Sequence, residues 1–272
     1  MQDDYNFEPE NNAENQIEEI GFADRVVGIF TAPVQTLDSI SKMPQKASLW
    51  LIPLIIMIIV ASLSTILYNY NPTLRAELES IQMESLEKNM QEQVEKGNIS
   101  KEEADQQTAN MTQQINSFGT MKLVLQIVSI VFVTFIFFFI VNGFFYLIMK
   151  FGFSGEGNYN SAMIAYSSVY YIMILQALLT MVLSLATGKF FIGLSLGNLF
   201  DFEMLSLQGF IFRKLDPFFV WFYILLGISY AKMFKSSNYI KYIALTLLSW
   251  IVVNALMYYL STLSPIFQGF AM

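Results

Sequence analysis

The chain predicts an all-α fold: a polytopic membrane helical bundle with five transmembrane helices and a helical-hairpin insert between the first two. Three observations carry this. Hydrophobic residues make up 54% of the 272-residue chain and charged residues only 14%, about half the charged share of soluble domains. Residues 47–74, 123–149, 157–188 and 242–272 hold no charge at all, and each exceeds the roughly 20 apolar residues that a spanning helix needs. Between the first two of these runs lies a polar segment with helical periodicity, residues 73–118.

The sequence opens on "MQDDYNFEPENNAENQIEEI", with seven carboxylates and no Lys or Arg. Residues 1–20 read as a disordered acidic tail. That charge argues against a nucleic-acid partner, as does the net charge of −7. No basic-then-apolar leader pattern is present, so the first span is expected to serve as the insertion signal. Residues 21–46 then change character. Phe22, Val26 and Phe30 repeat every four residues, Leu37, Ile40 and Met43 every three, and Thr31-Ala32-Pro33 breaks the two pieces because proline cannot donate within a helix. A pair of cytoplasmic amphipathic helices on the membrane surface is expected, the alternative being an ordinary juxtamembrane linker.

The first span is placed at about 49–70, with Trp50, Tyr68 and Tyr70 as interfacial anchors. Asn71-Pro72 ends it. In the insert, Leu74, Leu78, Ile81, Met90 and Val94 form one helical stripe, and Gly97-Asn98 supplies a turn. Ser100 and Glu103 have capping-box spacing, and Ala104, Thr108, Met111, Ile115 and Phe118 form the facing stripe of an extracytoplasmic hairpin. The second and third spans lie at about 123–149 and 160–187, joined by the glycine-rich "FGFSGEGNYN". Residues 188–214 are apolar but broken by glycines, and are expected to be interfacial or re-entrant.

The fourth span, 216–234, is the short one. Only fifteen uncharged residues separate Asp216 from Lys232, about 22 Å of helix against a hydrocarbon core of about 30 Å. Asp216 is a good N-cap and Pro217 a good first helical residue, while Lys232 can snorkel its ammonium outward. The fifth span is placed at about 242–262. Counting basic residues at the span ends gives Lys42, Lys46, Lys150, Lys232, Lys235 and Lys241 on the side of the N-terminus. Arg75, Lys122, Lys189, Arg213 and Lys214 fall on the other. The crowding of lysines from 232 to 241 favours a cytoplasmic N-terminus and an outer C-terminus.

Four segments taken in order resemble the Yip1-domain family of integral membrane proteins in its bacterial branch. They are "RVVGIFTAPVQTLDSISKMP" ahead of "WLIPLI", the helical insert, "NGFFYLIMKFGFSGEGNYNSAMIAYSSV", and "LDPFFVWFYILLGISYAKMF", which together cover residues 21 to about 262. The resemblance implies five spans, a cytoplasmic N-terminus and a bacterial cytoplasmic membrane. One departure is Tyr170, where the family often carries proline, so a straighter third span is expected here. The family's association with small prenylated GTPases belongs to eukaryotic relatives and does not transfer.

Chemistry is sparse in this sequence. Without a single Cys or His, the chain has no thiolate, no imidazole base and no Cys/His zinc site. No Asp, Glu, Lys or Arg falls in the middle of an expected span. The amides at membrane depth are Gln126, Asn142, Gln176 and Asn254, read as interhelical hydrogen-bonding groups or as a polar pathway. Gly227 and Ala231, four apart, read as a close helix contact. Asp216 reads as a cap rather than a catalytic or ion-binding carboxylate. No cofactor, metal or small-molecule substrate is evident, and no phosphate-binding or nucleophile motif occurs. The partners expected are the lipid bilayer and either another membrane protein or a second copy. The function expected is a non-enzymatic membrane organiser or adaptor acting through the surface helices and hairpin. The runner-up is a permease or channel subunit with residues 188–209 entering the bundle.

Overall fold

The computed structural model describes residues 20–116, 119–199 and 206–263. The expected acidic tail, the Phe118 end of the insert stripe and residues 264–272 lie outside these. Every regular element among the described residues is helical.

Helices α1 (Phe22–Thr31) and α2 (Pro33–Lys42) meet at Ala32. Proline starts α2, where its missing N–H costs nothing. The two helices approach closely at Gly28, where a Cβ would stand 2.2 Å from the Thr36 hydroxyl oxygen. Helix α3 (Ser48–Tyr70) carries Pro53 in its interior, which deprives the Leu49 carbonyl of its donor four residues on. The Ser167 hydroxyl from a distant helix reaches that carbonyl at 3.4 Å and its own Ile164 carbonyl at 3.2 Å. A neighbour thus repairs the proline gap, as membrane bundles commonly require.

Asn71 accepts from the Thr73 and Leu74 backbone at 3.1 Å and starts α4 (Pro72–Glu95). Ser100 and Glu103 cap α5 (Lys101–Asn116) reciprocally, at 2.8 and 3.2 Å. Leu86 and Met90 of α4 pack on Ala104 of α5, and the Thr112 hydroxyl lies 3.5 Å from Met83 sulfur. Helix α6 (Thr120–Leu147) continues through a wider π turn at Ile148–Gly152. The following turn packs beneath Phe234: a Cβ at Gly155 or Gly157 would stand 2.7 or 2.9 Å from its ring.

Asn158 and Ser161 form the capping box of α7 (Tyr159–Ser168), and α8 (Tyr170–Thr187) follows after a break at Val169. This corrects the expectation of a straighter third span. The Ser167 and Ser168 hydroxyls both donate to the Ile164 carbonyl, at 3.2 and 2.6 Å. Such back-bonding competes with the helix ladder. The next turn tightens to a three-residue bond from the Ile172 amide to the Val169 carbonyl.

Gly188 closes α8 with φ +68°, a left-handed conformation that favours glycine. After residues 188–199 come α9 (Leu207–Lys214), capped by Ser206, then α10 (Pro217–Met233) and α11 (Tyr239–Leu263). Four helical stretches are long and apolar enough to cross a membrane: Ser48–Tyr70, Thr120–Gly152, Tyr159–Thr187 and Tyr239–Ser261. The expected fourth span, 216–234, corresponds to a shorter apolar helix outside these four. Helix α10 has 17 residues, about 25 Å, and it is the central element, packed against α2, α7, α8 and α11. Leu226, Tyr230 and Ala231 are fully buried there.

Two surface expectations change. Ile29, Leu37 and Ile40 are buried in the main core, with Val26 and Phe30 packed against it. Much of the apolar face assigned to lipid is thus taken up by the protein. Lys232 does not extend freely to water. Its side chain is 17% exposed and donates to Asp38 of α2 at 2.5 Å.

Candidate functional site

The site grows from the start of α10. Asp216 has extended backbone angles and accepts from the Phe218 amide at 2.8 Å, the short local bond of an N-cap. Its other oxygen accepts from the Gln176 side-chain amide and from the Leu194 backbone amide, the latter at 2.9 Å. Three donors and 1% exposure make this far more than an exposed cap. The donors are neutral dipoles, which can hold a buried carboxylate without a cation.

The depth of the site follows from its partners. Gln176 stands eleven residues before Thr187, where α8 ends, so Asp216 meets α8 about 16 Å short of that end. Residues 188–194 must run back along the bundle to bring the Leu194 amide to Asp216. On the way, Phe190 rests edge-on to Tyr68 at 5.6 Å, and its amide donates to Glu77 of α4 at 2.6 Å. A Cβ on Gly193 would lie 3.1 Å from Asp216 and 3.3 Å from Gln176, a spacing that suits glycine at this crossing.

Beside Asp216 lies a cavity of about 500 Å³ between the 190–198 segment, α9, α10 and α11. Its polar lining is Ser195, Asn198, Arg213, Lys214, Asp216 and Asn254, and its apolar wall includes Phe190, Phe219, Tyr223 and Trp250. Burial pushes the Arg213 and Lys214 side chains below their ordinary pKa values, and at Lys214 the nearby Arg213 charge adds to this. The Lys214 ammonium lies 5.5 Å above the Phe210 ring.

The remaining sequence candidates fall elsewhere. Phe22 is exposed and meets Tyr171 edge-on at 6.3 Å, while Phe30 meets Trp221 at 5.8 Å. Val26 is half-buried and Pro33 opens α2. Asn142 is buried on α6, donates to the Phe138 carbonyl at 2.7 Å, and leaves its amide oxygen without a partner. It does not line the cavity. Asn254 does, with its amide donating to the Trp250 carbonyl at 2.8 Å. Gly227 lets α11 approach so closely that a Cβ would stand 2.5 Å from the Ile243 Cα, and Ala231 is fully buried one turn on. Pro217 occupies the first turn of α10.

At the opposite end of α10, Lys232 and Lys42 both donate to Asp38 at 2.5 Å. The Lys232 and then the Lys42 hydrogen bond hold the Asp38 carboxyl below the usual aspartate range. Sequence reasoning missed this contact and the Gln176–Asp216 pair, because each joins residues far apart in the chain. Arg213 and Lys214 were counted only as topology markers. Among the described residues, no group of three or more Asp, Glu, His or Cys side chains could hold a metal ion. No family model, no curated protein and no solved structure matches this chain.

Proposed function

We propose that this chain is a non-enzymatic, membrane-embedded solute-handling protein of permease or channel type. In it, the segment beginning at Gly188 enters the bundle and builds a charged cavity with α9, α10 and α11. The single observation that supports this reading is the seat of Asp216. A carboxylate buried among apolar helices is costly and calls for a task, and this one is fixed from one side by α8 and from the other by the entering segment. Irregular backbone at such depth is tolerated only where protein or water covers it.

In the same reading α10 is a short fifth crossing. The N-terminus is cytoplasmic, the C-terminus lies outside, and α4 with α5 forms a hairpin insert beyond the outer face. The natural absence of cysteine makes the test direct. S195C, N98C and S237C are introduced singly and treated with a small impermeant thiol reagent on intact cells. Labelling of S195C and N98C from outside, with S237C protected until the membrane is permeabilised, is the expected result. An S195C that labels from neither side would remove the open cavity, and an S237C that labels from outside would remove the fifth crossing.

A second reading has its own observation. Phe22, Val27 and Val34 of α1 and α2 remain exposed although the rest of that apolar face is buried, which suits a shallow contact with one leaflet. This is the organiser role that a Yip1-type protein of a bacterial cytoplasmic membrane would have. The full chain reconstituted in vesicles would then alter vesicle curvature, and V27S together with V34S would abolish the effect. Curvature unchanged by the wild-type chain would dismiss this role.

A further inference from the structure

We infer that the groove between α4 and α5 docks a cationic amphipathic helix of a partner protein, an inference independent of the Asp216 cavity. The groove has a volume of about 440 Å³. Met90, Val94 and Ala104 give it an apolar lining, and Glu87, Glu95 and Asp105 stand against the single ammonium of Lys101. Its origin is local. Helix α5 brings the short side chains of Ala104 and Thr108 to this stretch of α4, and neither fills the space beside Met90 and Val94. Among the described residues α5 packs substantially on α4 and on no other helix, so no third element closes the gap. The thioether of Met90 is flexible enough to re-form the lining around an inserted side chain.

Charge complementarity selects the occupant. Elsewhere on α4, Glu84 pairs with Lys88 at 2.9 Å and Glu92 with Lys96 at 3.3 Å, each one turn apart. In the groove, Glu87 and Asp105 have no ion-pair partner among the described residues, and Glu95 accepts from the neutral Gln91 amide at 3.1 Å. Spacing then sets the shape. Glu87 and Glu95 are eight residues apart on one helix, about 12 Å along its axis, while Asp105 lines the groove from α5. A small ammonium meets one of these carboxylates at a time, and no group of three metal-ligating side chains stands among the described residues. A helix with an apolar stripe flanked by lysine or arginine meets both walls at once. The chain itself supplies no such segment here. Residues 72–116 hold nine carboxylates and four basic side chains, so the hairpin of a second copy brings like charge. The acidic residues 1–20 do the same.

The test uses the full chain in detergent, with one cysteine introduced at a time because the native chain has none. Q91C reports the groove, and N110C, exposed two residues beyond Thr108 and so on the opposite face of α5, reports the rest of the hairpin. The probe is a synthetic peptide of about 18 leucines and lysines, with leucine at helical spacing, long enough to fold against a surface. It is expected to slow thiol labelling of Q91C but not of N110C, and to do so less as salt is raised. A scrambled peptide and one with glutamate for lysine are expected to have no effect. E87Q combined with D105N is expected to weaken the protection about tenfold, the size of two exposed ion pairs. E102Q, outside the groove, is expected to leave it unchanged. Equal protection of N110C, or protection by the scrambled peptide, would overturn the inference by assigning the effect to the detergent surface. Unaltered protection in the E87Q/D105N chain would remove the charge complementarity and the inference with it. Labelling of Q91C that slows with rising protein concentration alone would assign the groove to a second copy instead. The peptide comparison on Q91C holds even should the double variant fold poorly.

Discussion

Gln176 donates its side-chain amide to Asp216, joining the middle of α8 to the N-cap of α10 across 40 positions of sequence. The bond holds a turn of α8, the start of α10 and, through the Leu194 amide, the segment between them in one arrangement. An amide in a long apolar run thereby becomes a clamp on a buried carboxylate.

Disrupting either partner is expected to be costly and non-additive. Q176L leaves Asp216 buried with one donor fewer, at about 1–3 kcal/mol. D216N presents an amide nitrogen where an oxygen now accepts, so it must lose at least one of the three bonds. The double variant is expected to cost less than the two singles added, since the second change removes a bond already broken. Thermal unfolding of the four proteins in detergent measures this, and strict additivity would mean the pair is not coupled.

The Asp38–Lys232 contact offers a pH signature. Asp38 has a lower pKa folded than unfolded, so its stabilising contribution is complete above the ordinary aspartate value of about 3.9. That contribution is lost as the pH falls through the lower folded value. Because the Asp38 side chain is 32% exposed, screening limits the effect to about 1 kcal/mol or less. D38N is expected to be less stable than the native chain at neutral pH, with the gap closing on acidification. A gap that stays constant with pH would assign the loss to packing instead.

Glycine substitutions should separate contact from composition. G227A forces a methyl group against the α11 backbone, where no flexible side chain can yield, and a loss of about 1–3 kcal/mol is expected. G143A is the control: it lies inside α6 with nothing within 4 Å of the added Cβ, and should be neutral or slightly stabilising because alanine favours the helix. Similar losses in both would show that the close approach of α11 to Gly227 is not what sets the cost.

What could be read from the sequence was local. Uncharged length identified the runs that became α3, α6, α7–α8 and α11, and side-chain caps at Ser100 and Asp216 marked helix starts, because a cap is a bond to the next few amides; Asn71 was read only as the end of α3 and also caps α4. The break at Val169 was missed: its cause is serine hydroxyls competing for one carbonyl, whereas proline was the only breaker considered. The docking of α2 on α10 and of α1 on α8 was also missed. An apolar stripe has the same spacing whether lipid or protein covers it, so periodicity cannot choose. Of the site, Asp216, Gln176 and Asn254 were each visible as unusual residues, but nothing in the order of residues says that the first two are hydrogen-bonded and the third lines the same cavity.

The proline in α3 bears on how the protein is made. Leu49 waits for a hydroxyl 118 residues further along, so when α3 leaves the ribosome its first turn holds a carbonyl with no donor of its own. Until α7 emerges, that carbonyl is best served by water or lipid head groups, which holds the beginning of α3 at the interface. Completion of the hydrogen bonding of the first helix is then tied to synthesis of the third apolar run.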